Sequence, residues 1–85
     1  MPHMPTHQEL ADWLTTKVAR TLRVTPDSID VEMPLADYGI DSAASMMLCA
    51  DLEAEKGIAV DTTIIWDYAT IDAIAAHLST EERTS

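Results

Sequence analysis

Apolar residues recur along this chain at helical spacing. Leu10, Trp13, Leu14, Val18 and Leu22 fall along one side of a helix, while Asp12, Lys17, Arg20 and Arg23 take other faces. Thr6 followed three positions later by Glu9 has the form of a capping box, in which each side chain satisfies an orphan amide of the first turn. The pattern predicts helix one from about Gln8 to Leu22. From Arg23 to Asp41 the periodicity fails, and Pro26, Pro34 and Gly39 interrupt a polar stretch. Loops this long tend to be functional or self-packed. Ile29, Val31, Leu35, Tyr38 and Ile40 are the residues available to pin this one to a core.

Asp41 then reads as an N-cap. Ser42 to Glu55 holds neither Pro nor Gly, and Gly57 suits the C-terminal stop of a second helix. Thr62 to Asp67 has room for about one helical turn. Thr70 caps a last helix on which Ile71, Ile74, Ala75 and Leu78 share a face, and the polar stretch from Ser79 to Ser85 is expected to fray. The expected fold is all-α: a small four-helix bundle of three main helices and one short one, with a long loop between helices one and two. The expected organisation is one domain at 7–79. A flexible segment at 1–6, native or in part a cloning remnant, precedes it, and a frayed tail at 80–85 follows.

Eighty-five residues fit one domain, so a catalytic cleft between domains is not expected. Aromatics are 5% of the chain and Phe is absent, so Leu, Ile, Val, Met and Ala must fill the interior, which favours packed helices. Fifteen acidic residues against five basic ones give a net charge of -10, which repels nucleic acid and anionic membranes and favours basic protein partners or metal ions. Between Val24 and Glu82 the only basic residue is Lys56, so the acids gather around the start of helix two. Cys49 stands alone, which excludes an internal disulfide or zinc knuckle and sets a reducing, cytoplasmic location as the default. No apolar run approaches the ~20 residues of a membrane span. His3, His7 and His77 do not share a helix face, so no metal site is expected from them.

Helix two carries two apolar stripes. Ser45, Leu48, Cys49 and Leu52 form one, suited to the core; Ala43, Met46, Met47 and Ala50 form another, rotated away from it. A bundle this small does not bury both, so methionine surface is expected outside, where thioether side chains adapt to varied apolar partners. The plainer alternative is that Met46 or Met47 fills a core gap. Cys49, on the first stripe, is expected to be a buried structural thiol. Just before the helix, Gly39 permits a sharp turn that delivers Ser42 to the first turn, where free amides and the helix dipole favour an attached phosphate. Local spacing alone also allows Asp41 or Ser42 to be a simple cap.

The wider pattern goes further. Leu35-x-x-Tyr38-Gly39-Ile40-Asp41-Ser42, then Leu52-Glu53, Trp66-Asp67-Tyr68-x-Thr70-Ile71 and Ile74-Ala75-x-His77-Leu78, resembles the acyl carrier proteins of polyketide synthases from helix one to Leu78. The resemblance implies an acyl-carrier-like bundle that is not an enzyme. It implies that Ser42 is the serine to which a phosphopantetheinyl transferase attaches the 4'-phosphopantetheine of coenzyme A, with Asp41 engaging the transferase and its magnesium during modification. The arm's thiol then holds acyl or polyketide intermediates as thioesters. The implied partners are the transferase, an acyl-loading enzyme (an acyltransferase or a fatty acyl-AMP ligase), and a ketosynthase or other synthase domain; the carrier is expected to be a monomer.

Three positions depart from the commoner family pattern. Ala43 replaces a Leu after the serine, Met47 replaces a Glu five positions after it, and Ala69 replaces a Pro, with only a local effect expected there. The first leaves less apolar surface beside the arm, so docking there is expected to be shallower; the second moves recognition from charge toward apolar contact. The Asp-Ser-Ala-Ala run, with Asp51-Leu52-Glu53 and Asp67-Tyr68-x-Thr70-Ile71, looks more like carriers that accept chains from fatty acyl-AMP ligases, or that lie in loading positions, than like mid-assembly carriers. The alternatives are a peptidyl carrier of a nonribosomal synthetase, an unmodified acidic interaction module, and an enzyme using Ser42 with His77. The last lacks oxyanion donors, and His77 is expected near a helix C-terminus, facing the dipole.

Overall fold

Thr6 opens the first helix as its pairing with Glu9 predicts: the Glu9 amide donates to Thr6 Oγ1 at 3.1 Å and the Thr6 amide to Glu9 Oε1 at 3.0 Å. The computed structural model describes the backbone of residues 5–84 and the side chains of residues 5–79. Helix α1 spans His7–Leu22 and ends where Arg23 turns left-handed. Helices α2 (Ser42–Lys56), α3 (Thr63–Tyr68) and α4 (Ile71–Thr84) follow, with no strand among the described residues. His3 and residues 1–4 of the expected flexible segment lie outside the described part, as does Ser85.

Leu10, Leu14 and Val18 of α1, Leu48 and Leu52 of α2, Ile64 and Ile65 of α3, and Ile71, Ile74 and Leu78 of α4 converge in one core. Burial of each such side chain is worth about 1.5–3 kcal/mol. The backbones of α1 and α4 approach most extensively, whereas α2 is held mainly through side chains.

The long loop is not featureless. It contains two short 3-10 turns, Pro26–Ser28 and Leu35–Tyr38, because Pro34 and Pro26 set the backbone for a tight turn without costing a needed amide. Leu35 and Ile40 are buried, and Ile29, Val31 and Tyr38 pack against the core in part. The Tyr38 hydroxyl accepts from the Asp30 amide at 2.6 Å, closing the loop on itself. The loop is also tied to the start of α4: Leu35 N donates to Ala69 O at 2.7 Å, and Asp72 N to Val31 O at 3.0 Å.

Three details go beyond the sequence pattern. The backbone of the last helix is helical through Thr84, since nothing in Ser79-Thr80-Glu81-Glu82-Arg83-Thr84 breaks a helix. His7, one residue before the expected helix start at Gln8, is the first residue of α1, and its Nε2 meets Asp72 Oδ1 of α4 at 2.9 Å. Ala69 has more than a local effect. It sits at φ 62°, ψ -35°, closed to proline, in a γ-turn where Thr70 N donates to Tyr68 O at 2.6 Å, and its carbonyl is the one that anchors Leu35.

Candidate functional site

The start of α2 is assembled from local causes. Gly39 adopts φ 82°, a conformation that favours glycine, and ends the second 3-10 turn with its amide on Ala36 O. The reversal buries Ile40 and leaves Asp41 in an extended conformation as N-cap, its Oδ1 accepting from the Ala44 amide at 2.9 Å. Asp41 Oδ2 has no hydrogen-bond partner among the described residues. Ser42 is the first residue of the helix and is exposed. Its hydroxyl stands beside first-turn amides that have no intrahelical acceptor, at the positive end of the helix dipole. These features suit a phosphate ester on Ser42: an accessible oxygen, free donors, and a favourable field.

Along α2 the two stripes separate cleanly. Ser45, Leu48, Cys49 and Leu52 are buried, while Ala43, Met46, Met47 and Ala50 are exposed, Met46 to 62% and Met47 to 69%. Neither methionine fills a core gap. Burial, then the neighbouring Asp61 carboxylate, pushes the Cys49 thiol above its ordinary pKa, which keeps it protonated and inert. Trp66 of α3 is 51% exposed, an apolar surface that reading by motif missed: the signal was its place after the buried pair Ile64-Ile65 on a helix of little more than one turn.

The expectation that His77 faces the end of a helix dipole is also corrected. Because α4 continues to Thr84, His77 is mid-helix and stacks on Tyr68 with ring centroids 4.3 Å apart. Both rings line a cleft of about 300 Å³ with Asp61, Thr63, Ile64 and Asp67, and Ser42 is not among the lining residues. The pairing of Ser42 with His77 that an enzyme would need is not built.

A second cluster, unforeseen from sequence, joins α1 to α2. Lys17 Nζ pairs with Glu55 and lies 3.7 Å from Asp51, Trp13 Nε1 donates to Glu55 Oε1 at 3.1 Å, and the Lys17 ammonium sits 5.3 Å from the Trp13 ring centroid. These contacts hold the Glu55 carboxyl below its ordinary pKa, the Lys17 hydrogen bond first and that from Trp13 second.

Residues 12–78 match the phosphopantetheine attachment site family. This chain belongs to that family. The carrier domain is 32% identical over 74 residues to part of the phenolphthiocerol/phthiocerol polyketide synthase of Mycobacterium tuberculosis, covering 87% of this chain and 4% of that protein. It is 30% identical over 76 residues to the p-hydroxybenzoic acid–AMP ligase FadD22 of Mycobacterium marinum, covering 88% of this chain and 11% of the ligase. Among solved structures it superposes with a TM-score of 0.87 and 32% identity on a free-standing peptidyl carrier protein of Acinetobacter baumannii, covering 92% of this chain and 98% of that one. With the Anabaena acyl carrier protein Asl1650, which has a variant phosphopantetheinylation-site sequence, the TM-score is 0.83 at 28% identity, over 95% and 98% of the two chains. The all-α bundle is thus that of carrier proteins. The domain is a non-catalytic tether for covalently bound phosphopantetheine, and carriers of this kind work with synthase and ligase partners.

Proposed function

We propose that Ser42 is the attachment residue and that this domain, taken as residues 7–79, carries acyl or polyketide intermediates in the cytoplasm as a monomer. The observation that carries this reading is the exposed Ser42 hydroxyl at the first position of α2, set there by the Gly39 turn and the Asp41 cap. In modification by a phosphopantetheinyl transferase, Ser42 Oγ loses its proton to the transferase and bonds to the pantetheine-bearing phosphorus of coenzyme A as adenosine 3',5'-bisphosphate leaves. Asp41, with one carboxylate oxygen in the cap, offers the other to the magnesium that the transferase holds. The attached arm supplies a thiol for thioester chemistry. The chain itself supplies position: α2 fixes the anchor point, and tethering raises the effective concentration of the intermediate at each partner site.

Loading by a fatty acyl-AMP ligase or related adenylating enzyme is the favoured subtype, supported by the likeness to a stretch of the p-hydroxybenzoic acid–AMP ligase FadD22. The likeness to a peptidyl carrier supports aminoacyl loading as a second reading. Partner enzymes, including a ketosynthase or other synthase domain, are proposed to meet the carrier on Ala43, Met46, Met47 and Ala50.

Incubation with coenzyme A, magnesium and a broad-specificity transferase tests the attachment: wild type is expected to gain the mass of one phosphopantetheinyl group, and Ser42→Ala none. A wild-type chain that gains no mass, or a variant that does, refutes the assignment.

A further inference from the structure

Beside Met47, α1 and α2 enclose a groove of about 280 Å³ lined by Lys17, Arg20, Thr21, Met47, Leu48 and Asp51. Two of its charges are already engaged with each other, since Lys17 serves Asp51 and Glu55. Arg20 is different. It is exposed, and its side chain makes no hydrogen bond or ion pair among the described residues. In a chain with fifteen acidic residues and five basic ones, carboxylates to pair with are abundant, yet this guanidinium stands free at the edge of the groove. Glu55, a carboxylate that feels its charge, is held by Lys17 and Trp13 instead. A planar guanidinium is shaped for bidentate binding of a carboxylate, and an unbranched thioether adapts to a large apolar side chain. Free cation and exposed apolar surface thus meet on one groove.

We infer that the α1–α2 groove receives a helical segment of a partner protein that places a large apolar side chain against Met47 and a carboxylate on Arg20. This rests on the proposal that partners meet the carrier on the methionine face of α2, and it extends that face onto α1. It also runs against the net charge of -10, which on its own selects basic partners. The groove itself is lined by two cations, Lys17 and Arg20, and one carboxylate, Asp51, so the local field at Arg20 is not the field of the whole molecule. At about 0.15 M salt the Debye length is about 8 Å, so exposed carboxylates more than that from Arg20 are largely screened.

Two synthetic amphipathic peptides test the inference by amide chemical-shift titration of the full chain: one with Leu along a helical face and Glu elsewhere, the other with Lys in place of every Glu. The Glu peptide is expected to shift Lys17, Arg20, Thr21, Met47 and Leu48. Arg20→Gln, with helicity checked by circular dichroism, is expected to weaken it roughly tenfold, the scale of a lost charged hydrogen bond. Shifts in the groove from the Lys peptide alone, no shifts at millimolar Glu peptide, or an affinity untouched by Arg20→Gln each overturn it. Met47→Glu separates the two levels. If it abolishes binding that Arg20→Gln leaves intact, the groove falls while the methionine face stands; if neither variant matters, both fall.

Discussion

The two apolar faces of α2 have the same spacing and opposite fates. Ser45, Leu48, Cys49 and Leu52 are buried; Ala43, Met46, Met47 and Ala50 face out. Periodicity does not distinguish them. Side-chain shape does: the inward stripe carries the branched leucines that pack in defined rotamers, and the outward stripe carries alanines and flexible thioethers. In the family reading that division has a purpose, because a helix that must present a tethered arm to several enzymes needs one face fixed and another adaptable.

The contrast is most directly broken by mutating both faces. Leu52→Ala is expected to cost about 2–5 kcal/mol, because removing a buried leucine leaves a cavity in the core. Met47→Glu is expected to change stability by less than about 0.5 kcal/mol, since the side chain is already in solvent. Urea unfolding measures both. Comparable losses would show that the outer stripe is part of the core after all.

A smaller effect probes the one polar member of the inner stripe. Ser45 is fully buried, and its hydroxyl finds no hydrogen-bond partner among the described residues. An unsatisfied buried hydroxyl costs free energy that a methyl group does not, so Ser45→Ala is expected to be neutral or to stabilise by up to about 1 kcal/mol. A thermal melt reads the sign. A drop in Tm would mean that the hydroxyl is engaged and that the inner face is more polar than it looks.

What was legible in the sequence was local. The Thr6–Glu9 box, the Asp41 cap, the Gly57 stop and the Thr70 cap each join residues a few positions apart, and all form as their spacing predicts. The candidate site was legible for the same reason: Gly39, Asp41 and Ser42 make their geometry among themselves. The stripes of α2 were legible as stripes, and only composition and bundle size pointed to which one stays outside. What was not legible depends on partners far apart in the chain. Trp13 and Glu55 are separated by 42 positions and Lys17 and Glu55 by 38, so nothing in either helix alone announces that they meet. His77 was misplaced because its environment depends on where α4 ends and on Tyr68 of a different helix. The strained turn at Ala69 escaped notice because alanine gives no signal of positive φ; the loop bond to Leu35 holds it there.

The smallest expected effect lies on the flank of α2, where the outer face meets α1. Glu55 has its pKa lowered by hydrogen bonds from Lys17 and Trp13, so its ionised form is favoured in the folded chain. A carboxylate with a depressed pKa contributes stability that is complete above its ordinary, unfolded value and disappears as the pH falls through the folded one. Acid titration of stability should therefore show a small loss in that window, reduced in Glu55→Gln and in Lys17→Met. Indole fluorescence gives a local view once the second indole, Trp66 on α3, is removed: in a Trp66→Tyr background, Trp13 emission should titrate with Glu55 and cease to do so in Glu55→Gln. The exposed position of Glu55 keeps the contribution to stability slight and salt-sensitive. An acid limb of the stability curve identical in wild type and Glu55→Gln would mean that α2 is held by its buried leucines alone, and that the α1–α2 clamp orders side chains at the groove without fastening the helix.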